Sequence, residues 1–201
     1  RNSASSRNMA GHVSSSALLE ACVLYPATVA DGLMSLSVAG LYAAKWTAAI
    51  EDEFIMGLEA QRPELRGRLG RRRDLMRAAI PDWEVAPGAY QALIPCLTLP
   101  DPKDVHVLAA AIAGHADCIV TANLKDFPQE LVAVHGIEII HPDDFVVMQM
   151  DIDPVVGLSA LKAMRARMKN PSRTPEEFAG LLERSQLFST AQRVRDAAAL
   201  I

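Results

Sequence analysis

Four carboxylates stand where a chain of this kind can do chemistry. Glu20 lies inside an otherwise apolar run at 17–24 (ALLEACVL), and Glu53 borders the helical stripe Ile50, Phe54, Leu58. Asp104 opens the apolar stretch 105–112, and Asp126 follows the β-branched run 118–121. Acids that meet in one crevice repel each other unless a cation neutralises them. Mg2+ or Mn2+ suits such a set, because hard divalent ions take oxygen ligands and keep part of their water. The chemistry that follows is activation of water for in-line displacement at a phosphodiester. Taken singly, each acid is also an ordinary cap or solvated side chain, and Asp104 precedes its helix as a cap does.

These residues need a scaffold. The run 17–24 reads as a central strand buried on both faces, and Tyr25-Pro26 ends it. Val29, Leu33 and Leu36 carry helical spacing, and Thr47 is the expected N-cap of a second helix. On that helix Glu51 and Asp52 are expected to point outward. A short strand is expected at 83–85. Small residues from Ala109 to Ile112 suit a helix lying close on a sheet, stopped by Gly114 and followed by a buried strand at 118–121. Thr121, Asn123, Lys125 and Asp126 then gather at that strand's carboxyl end, where open α/β sheets bind ligands. A short helix at 129–135 and a last strand at 137–140 follow. Asp143 and Asp144 are expected to cap the next turn. The alternation of strands and helices predicts a parallel, doubly wound sheet.

From Asp151 onward only helices are expected. The pattern gives an amphipathic run at 154–169, a break at Asn170-Pro171, and a capping box at Thr174-Pro175-Glu176-Glu177 opening a helix to Arg184. A last helix starts at Ser189. Nothing in this tail suggests chemistry, so packing or partner binding is its expected role.

Composition narrows the field. The chain has 201 residues, half of them hydrophobic and 22% charged, enough for a sizeable core. A net charge of −4 argues against a surface coated in cations, though not against a local patch. Residues 61–77 hold seven arginines, with Arg71, Arg72 and Arg73 in succession. This run is either a solvated helix face or a contact for phosphate or a partner. Cys22, Cys96 and Cys118 form no CxxC pair, so buried free thiols in a reducing cytoplasm are expected. No uncharged apolar run is long enough for a membrane span. The Ser-rich 1–16 segment lacks a signal peptide's apolar core and reads as a leader, with Met9 a candidate start. His106 and His115 read as helix-surface or capping histidines.

The segments ALLEACVLYP, KWTAAIEDEF, LPDPKDVHVLAAAIAGHADCIVTANLKDFP and HPDDF together resemble a PIN-domain ribonuclease of the VapC toxin type. The resemblance implies a PIN-like, Rossmann-like α/β domain at 17–148 and a C-terminal helical extension at 149–201. It implies a Mg2+- or Mn2+-dependent endoribonuclease acting on RNA, a cognate antitoxin that blocks the site, and a homodimer. By position the family's acids fall at Glu20, Glu53, Asp104 and either Asn123 or Asp126, with Thr121 in support. Arg71, Arg72 and Arg73 are then candidates for RNA or antitoxin. The chain departs from the family where an aspartate is usual, carrying Glu20, and where an amide is usual, carrying Cys22. An added methylene moves a carboxylate by ~1 Å, a misplacement that can cost ~100-fold in rate. A PIN-like fold that binds RNA or protein without cleaving is therefore the rival reading. A haloacid-dehalogenase-type phosphatase lacks its DxD after the first strand. Dinucleotide binding lacks GxGxxG, and a serine hydrolase lacks its nucleophile elbow.

Overall fold

A computed structural model of the chain describes residues 15–201. Most of the expected leader lies outside them, while Ser16 already belongs to the first strand. The strands are β1 (Ser16–Leu19), β2 (Ala43–Lys45), β3 (Cys118–Val120) and β4 (Glu138–Ile140). They form one parallel sheet in the order β2-β1-β3-β4. The helices are α1 (Ala21–Leu24), α2 (Ala27–Val38), α3 (Ala48–Gln61), α4 (Gly70–Ala79), α5 (Pro87–Tyr90), α6 (Val105–Ala113), α7 (Gln129–Val132), α8 (Pro142–Ile152), α9 (Pro154–Arg167), α10 (Pro175–Arg184) and α11 (Phe188–Asp196). Helices flank the sheet and continue into a helical C-terminal region, the α/β architecture read from the sequence.

Two strand assignments need correction. The apolar run 17–24 is strand only as far as Leu19; Glu20 then caps the single helical turn α1 by accepting the Cys22 N–H at 3.1 Å. A short apolar run cannot separate buried strand from buried helix, and here the cap decides. The sheet's fourth strand is not 83–85 but Ala43–Lys45, paired with β1 in the register Ser16↔Ala43 to Leu18↔Lys45. Residues 83–85 make only a bridge to Trp46, through Trp46 N–H to Trp83 O and Val85 N–H to Trp46 O, both 2.9 Å.

The small residues of α6 do the expected packing, with Ala109, Ala110 and Ala111 fully buried. Gly114 ends α6 with ordinary negative φ, and His115 takes the left-handed conformation at φ +51°. What requires glycine at 114 is proximity: a Cβ there would sit 2.7 Å from Val85 Cγ2 and 3.0 Å from the Ala110 carbonyl.

The edge strand β4 is closed by a side chain. Gln129 Oε1 accepts the Ile139 N–H at 3.0 Å and its amide donates to Ile137 O at 3.2 Å.

The C-terminal helices are fastened to the sheet region by named contacts. Arg167 on α9 reaches Asp31 Oδ1 and Ser35 Oγ on α2, each at 2.6 Å. The capping box at Thr174 and Glu177 opens α10 as expected. Asp143 does not cap its own helix, where His141 is the cap. It accepts instead from Ser189 N–H (2.7 Å), Thr190 N–H (2.9 Å) and Thr190 Oγ1 (2.8 Å), capping α11 from 46 residues away. Burial pushes its carboxyl up, but these hydrogen bonds outweigh that and hold it below the usual carboxylate range. The expected division at 148/149 falls within α8.

Candidate active site

The carboxyl ends of β1 and β3 carry the polar cluster. Glu20, 6% exposed, has both oxygens engaged: one by Cys22 N–H, the other by Thr121 Oγ1 at 3.1 Å. Thr121 is fully buried and also accepts from Asn123 N–H at 2.9 Å, so it ties the β3 exit to the β1 exit. Cys22 joins them, with Sγ 3.5 Å from Thr121 Oγ1 and 3.2 Å from the Ala122 N–H that donates to it. Burial, and then the charge of Glu20, push its thiol up to about 12, so it stays protonated.

Asp104 occupies the N-cap position of α6, yet its side chain accepts no cap hydrogen bond. The carboxylate is therefore not consumed by the helix, and the simple cap reading does not hold. Burial raises its pKa to about 6, followed by the charges of Glu20, Asp101, Asp126 and Glu53. Those charges come from the β1 exit, the loop before α6, the β3 exit and α3. Five acids thus share one electrostatic neighbourhood. Of the two positions left open for the fourth acid, Asp126 is half-buried and its charge reaches Asp104, while Asn123 is exposed.

Glu53 projects from α3 with its side chain 40% exposed and meets His106 Nε2 at 2.8 Å. His106 is neither a cap nor a surface residue, its side chain being 16% exposed. The signal for its burial was present in the sequence: it stands three and four residues before Ala109 and Ala110 on the face that packs inward.

Glu51 also corrects the sequence reading. It is 1% exposed, accepts the Trp46 indole N–H at 2.9 Å, and is held by both Nε and Nη2 of Arg77. Arg77 lies over the Trp83 ring at 4.6 Å, and Trp83 stacks on Trp46 at 5.1 Å. This latch fixes α4 against α3 and the end of β2. Glu51 stands three and seven residues before Phe54 and Leu58, a spacing that places it on the buried stripe.

In the arginine run, Arg72 turns inward to the carbonyls of Leu24 and Tyr25 and lies over Phe54 at 5.3 Å. Arg73 approaches Asp74 only at 3.9 Å, and Arg71 is exposed. Cys96 is exposed rather than buried.

Among the described residues no three His, Cys, Asp or Glu side chains stand close enough together to enclose a metal ion. The donor chemistry nevertheless fits one: hard carboxylate oxygens in one electrostatic neighbourhood, with Asp104 held back from ionising by burial and then by the neighbouring acids. Mg2+ commonly binds through one or two direct carboxylates and completes its shell with water.

The parallel α/β sheet carries Glu20 and Asp126 just beyond the carboxyl ends of its two central strands. The chain belongs to the PIN-domain family, which it matches over residues 14–125. Residues 142–196 match a second family model, the VapC50 C-terminal domain. It is 38% identical over 76 residues to VapC50 of Mycobacterium tuberculosis, a protein provisionally named a ribonuclease. That alignment covers 38% of this chain and 45% of the relative, less than half of its length. No solved structure shows significant similarity to the chain.

Proposed function

We propose that the chain is a divalent-metal-dependent endoribonuclease, the toxin of a toxin–antitoxin pair. The observation that carries the reading is the placement of Glu20, tied to the β3 exit through Thr121, with Asp104 at the start of α6 making no cap hydrogen bond. Burial first, then the charges of Glu20, Asp101, Asp126 and Glu53, raise the Asp104 pKa to about 6. Membership of the PIN family and likeness to a relative named as a ribonuclease support it. Asp104 and Asp126 would hold the ion directly, with Glu20 and Glu53 beside it. When bound, Mg2+ or Mn2+ supplies charge neutralisation at the phosphodiester and a nucleophile at neutral pH. The chain's own part is positioning. Thr121 holds Glu20 and the β3 exit together, and α6 brings Asp104 to the crevice in a form free of helix capping.

The partner surface lies on the helical side. Two adjoining hollows of about 450 and 680 Å3 share Asp31, Met34, Leu75 and Ala79 between α2, α4 and α9. Exposed Val38, Leu75 and Val155 make this groove apolar, and Arg68 and Arg71 make its rim basic. An acidic amphipathic antitoxin segment fits such a surface, and Arg71→Glu is expected to weaken that complex. The domain partition at 148/149, a homodimer and a cytoplasmic location belong to the same reading. Among the described residues no helix is long and apolar enough to cross a membrane.

A second reading has its own support. Both oxygens of Glu20 are spent on a helix cap and on Thr121, which suits a site impaired at its first acid. Cleavage of a structured RNA pool with Mn2+, Mg2+ or EDTA separates the two, run beside Asp104→Ala and Glu20→Asp. Metal-dependent cutting lost in Asp104→Ala supports the nuclease. Cutting by Glu20→Asp alone supports the impaired site, and none by any folded form refutes the ribonuclease.

A further inference from the structure

We propose that His106 is the positioning residue for Glu53, so that the first turn of α6 sets two acids of the site: Asp104 directly and Glu53 through the imidazole. The inference rests on Glu53 belonging to the acidic site. Three observations carry it. His106 Nε2 lies 2.8 Å from Glu53 Oε1, across from α6 to α3. His106 Nδ1 is buried without a hydrogen-bond partner, so among the described residues the ring has this one polar contact. The ring is 16% exposed where the glutamate is 40% exposed, so the rigid, packed member of the pair is the histidine.

The contact is consistent with donation from the ring to the glutamate. An ionised carboxylate only accepts hydrogen bonds, so Nε2 must donate. Nδ1 then presents a lone pair to its buried surroundings, where a second N–H would lack any acceptor. Glutamate has three side-chain torsions and, half in solvent, would sweep through many rotamers if unheld. Partners of this kind, which hold a ligand's far oxygen, typically change metal affinity by about 10- to 100-fold when removed.

The bland alternative is that the pair only staples α6 to α3. Mn2+ binding, read from the loss of the free-ion EPR signal, separates the two without relying on turnover. Full-length wild type, Asp104→Asn, His106→Leu, His106→Gln, Glu53→Gln and the His106→Leu/Glu53→Gln double variant are titrated, with urea midpoints measured alongside. The expected result is Mn2+ binding by wild type, its loss in Asp104→Asn, and about 10-fold weaker binding in His106→Leu. His106→Gln, whose amide can donate from near the Nε2 position, should recover to within about 3-fold of wild type. The double variant should bind no worse than Glu53→Gln alone.

Wild-type affinity in His106→Leu overturns the inference and leaves the acidic site standing. So does an equal loss from His106→Leu in the Glu53→Gln background, or a loss that tracks the urea midpoint in both 106 variants. Failure of the wild type itself to bind Mn2+ overturns the acidic site and the inference together.

Discussion

Replacing Asp104 by asparagine should stabilise the protein in the absence of divalent metal at neutral pH. The side chain makes no cap hydrogen bond, so the substitution removes charge and little else. A carboxyl raised from 3.8 to about 6 corresponds to ~3 kcal/mol of unfavourable ionisation at neutral pH. The group is half-buried and still in contact with solvent, which screens roughly half of this. Asparagine also forfeits ~0.5 kcal/mol of attraction between the aspartate and the N-terminus of α6. The net expectation is a gain of ~1 kcal/mol, or roughly 2–4 °C in Tm for a chain of this size.

The sign of the pH dependence follows from the direction of the shift. The folded-state pKa lies above the unfolded value. The wild type therefore keeps this group's full stabilisation below about pH 4 and loses it as pH rises through about 6. Thermal melts of both proteins in EDTA at pH 5 and pH 7.5 are the assay, with the gain largest at pH 7.5. Adding Mn2+ should raise the wild-type Tm and leave the variant nearly unmoved. A variant less stable than wild type at pH 7.5, or a gain equal at both pH values, would refute the argument that burial and neighbouring acids strain Asp104.

Three other outcomes follow from the scaffold. Glu51→Gln replaces a carboxylate 1% exposed and leaves Arg77, whose side chain is 38% exposed, without its counter-ion, so urea unfolding should show a loss of ~1 kcal/mol, discounted for solvent screening of Arg77, with altered tryptophan fluorescence. Asp143→Ala removes three hydrogen bonds capping α11 and should cost ~1–2 kcal/mol. Because the Asp143 carboxyl is held low in the fold, its contribution is present above about pH 4 and disappears as pH falls through that depressed value; the wild-type-to-variant gap in Tm should shrink there. Gly114→Ala forces Val85 aside and should lower stability by ~1–3 kcal/mol despite alanine's better helix propensity; an unchanged urea midpoint would count against the close approach.

What could be read from the sequence was what the chain encodes locally. The buried strand at 118–120, the small residues of α6 and the capping box of α10 each carry their own periodicity or cap signal. What escaped depends on partners far along the chain. Ala43–Lys45 has little strand propensity of its own, and pairing with β1 places it in the sheet. Glu51 looked like a solvated charge because Arg77, which neutralises it, comes 26 residues later. Asp143 looked like a local cap because the helix it serves begins at Phe188. At the site, the sequence offers the four acids as candidates by position, and burial, followed by the charges of Glu20, Asp101, Asp126 and Glu53, raises the pKa of Asp104. The Glu53–His106 contact could not be read, since it joins helices 53 positions apart.

The side chain of Gln129 has a consequence for assembly. By supplying both a donor and an acceptor to the outer rim of β4, it occupies the pair of main-chain groups that an incoming extended peptide would use first. Growth of the sheet by edge-to-edge addition is hindered at these two groups, whether the newcomer is another copy or a foreign segment. Recruitment to this side of the molecule then favours side-chain surfaces of helices, where sequence rather than backbone complementarity decides who binds.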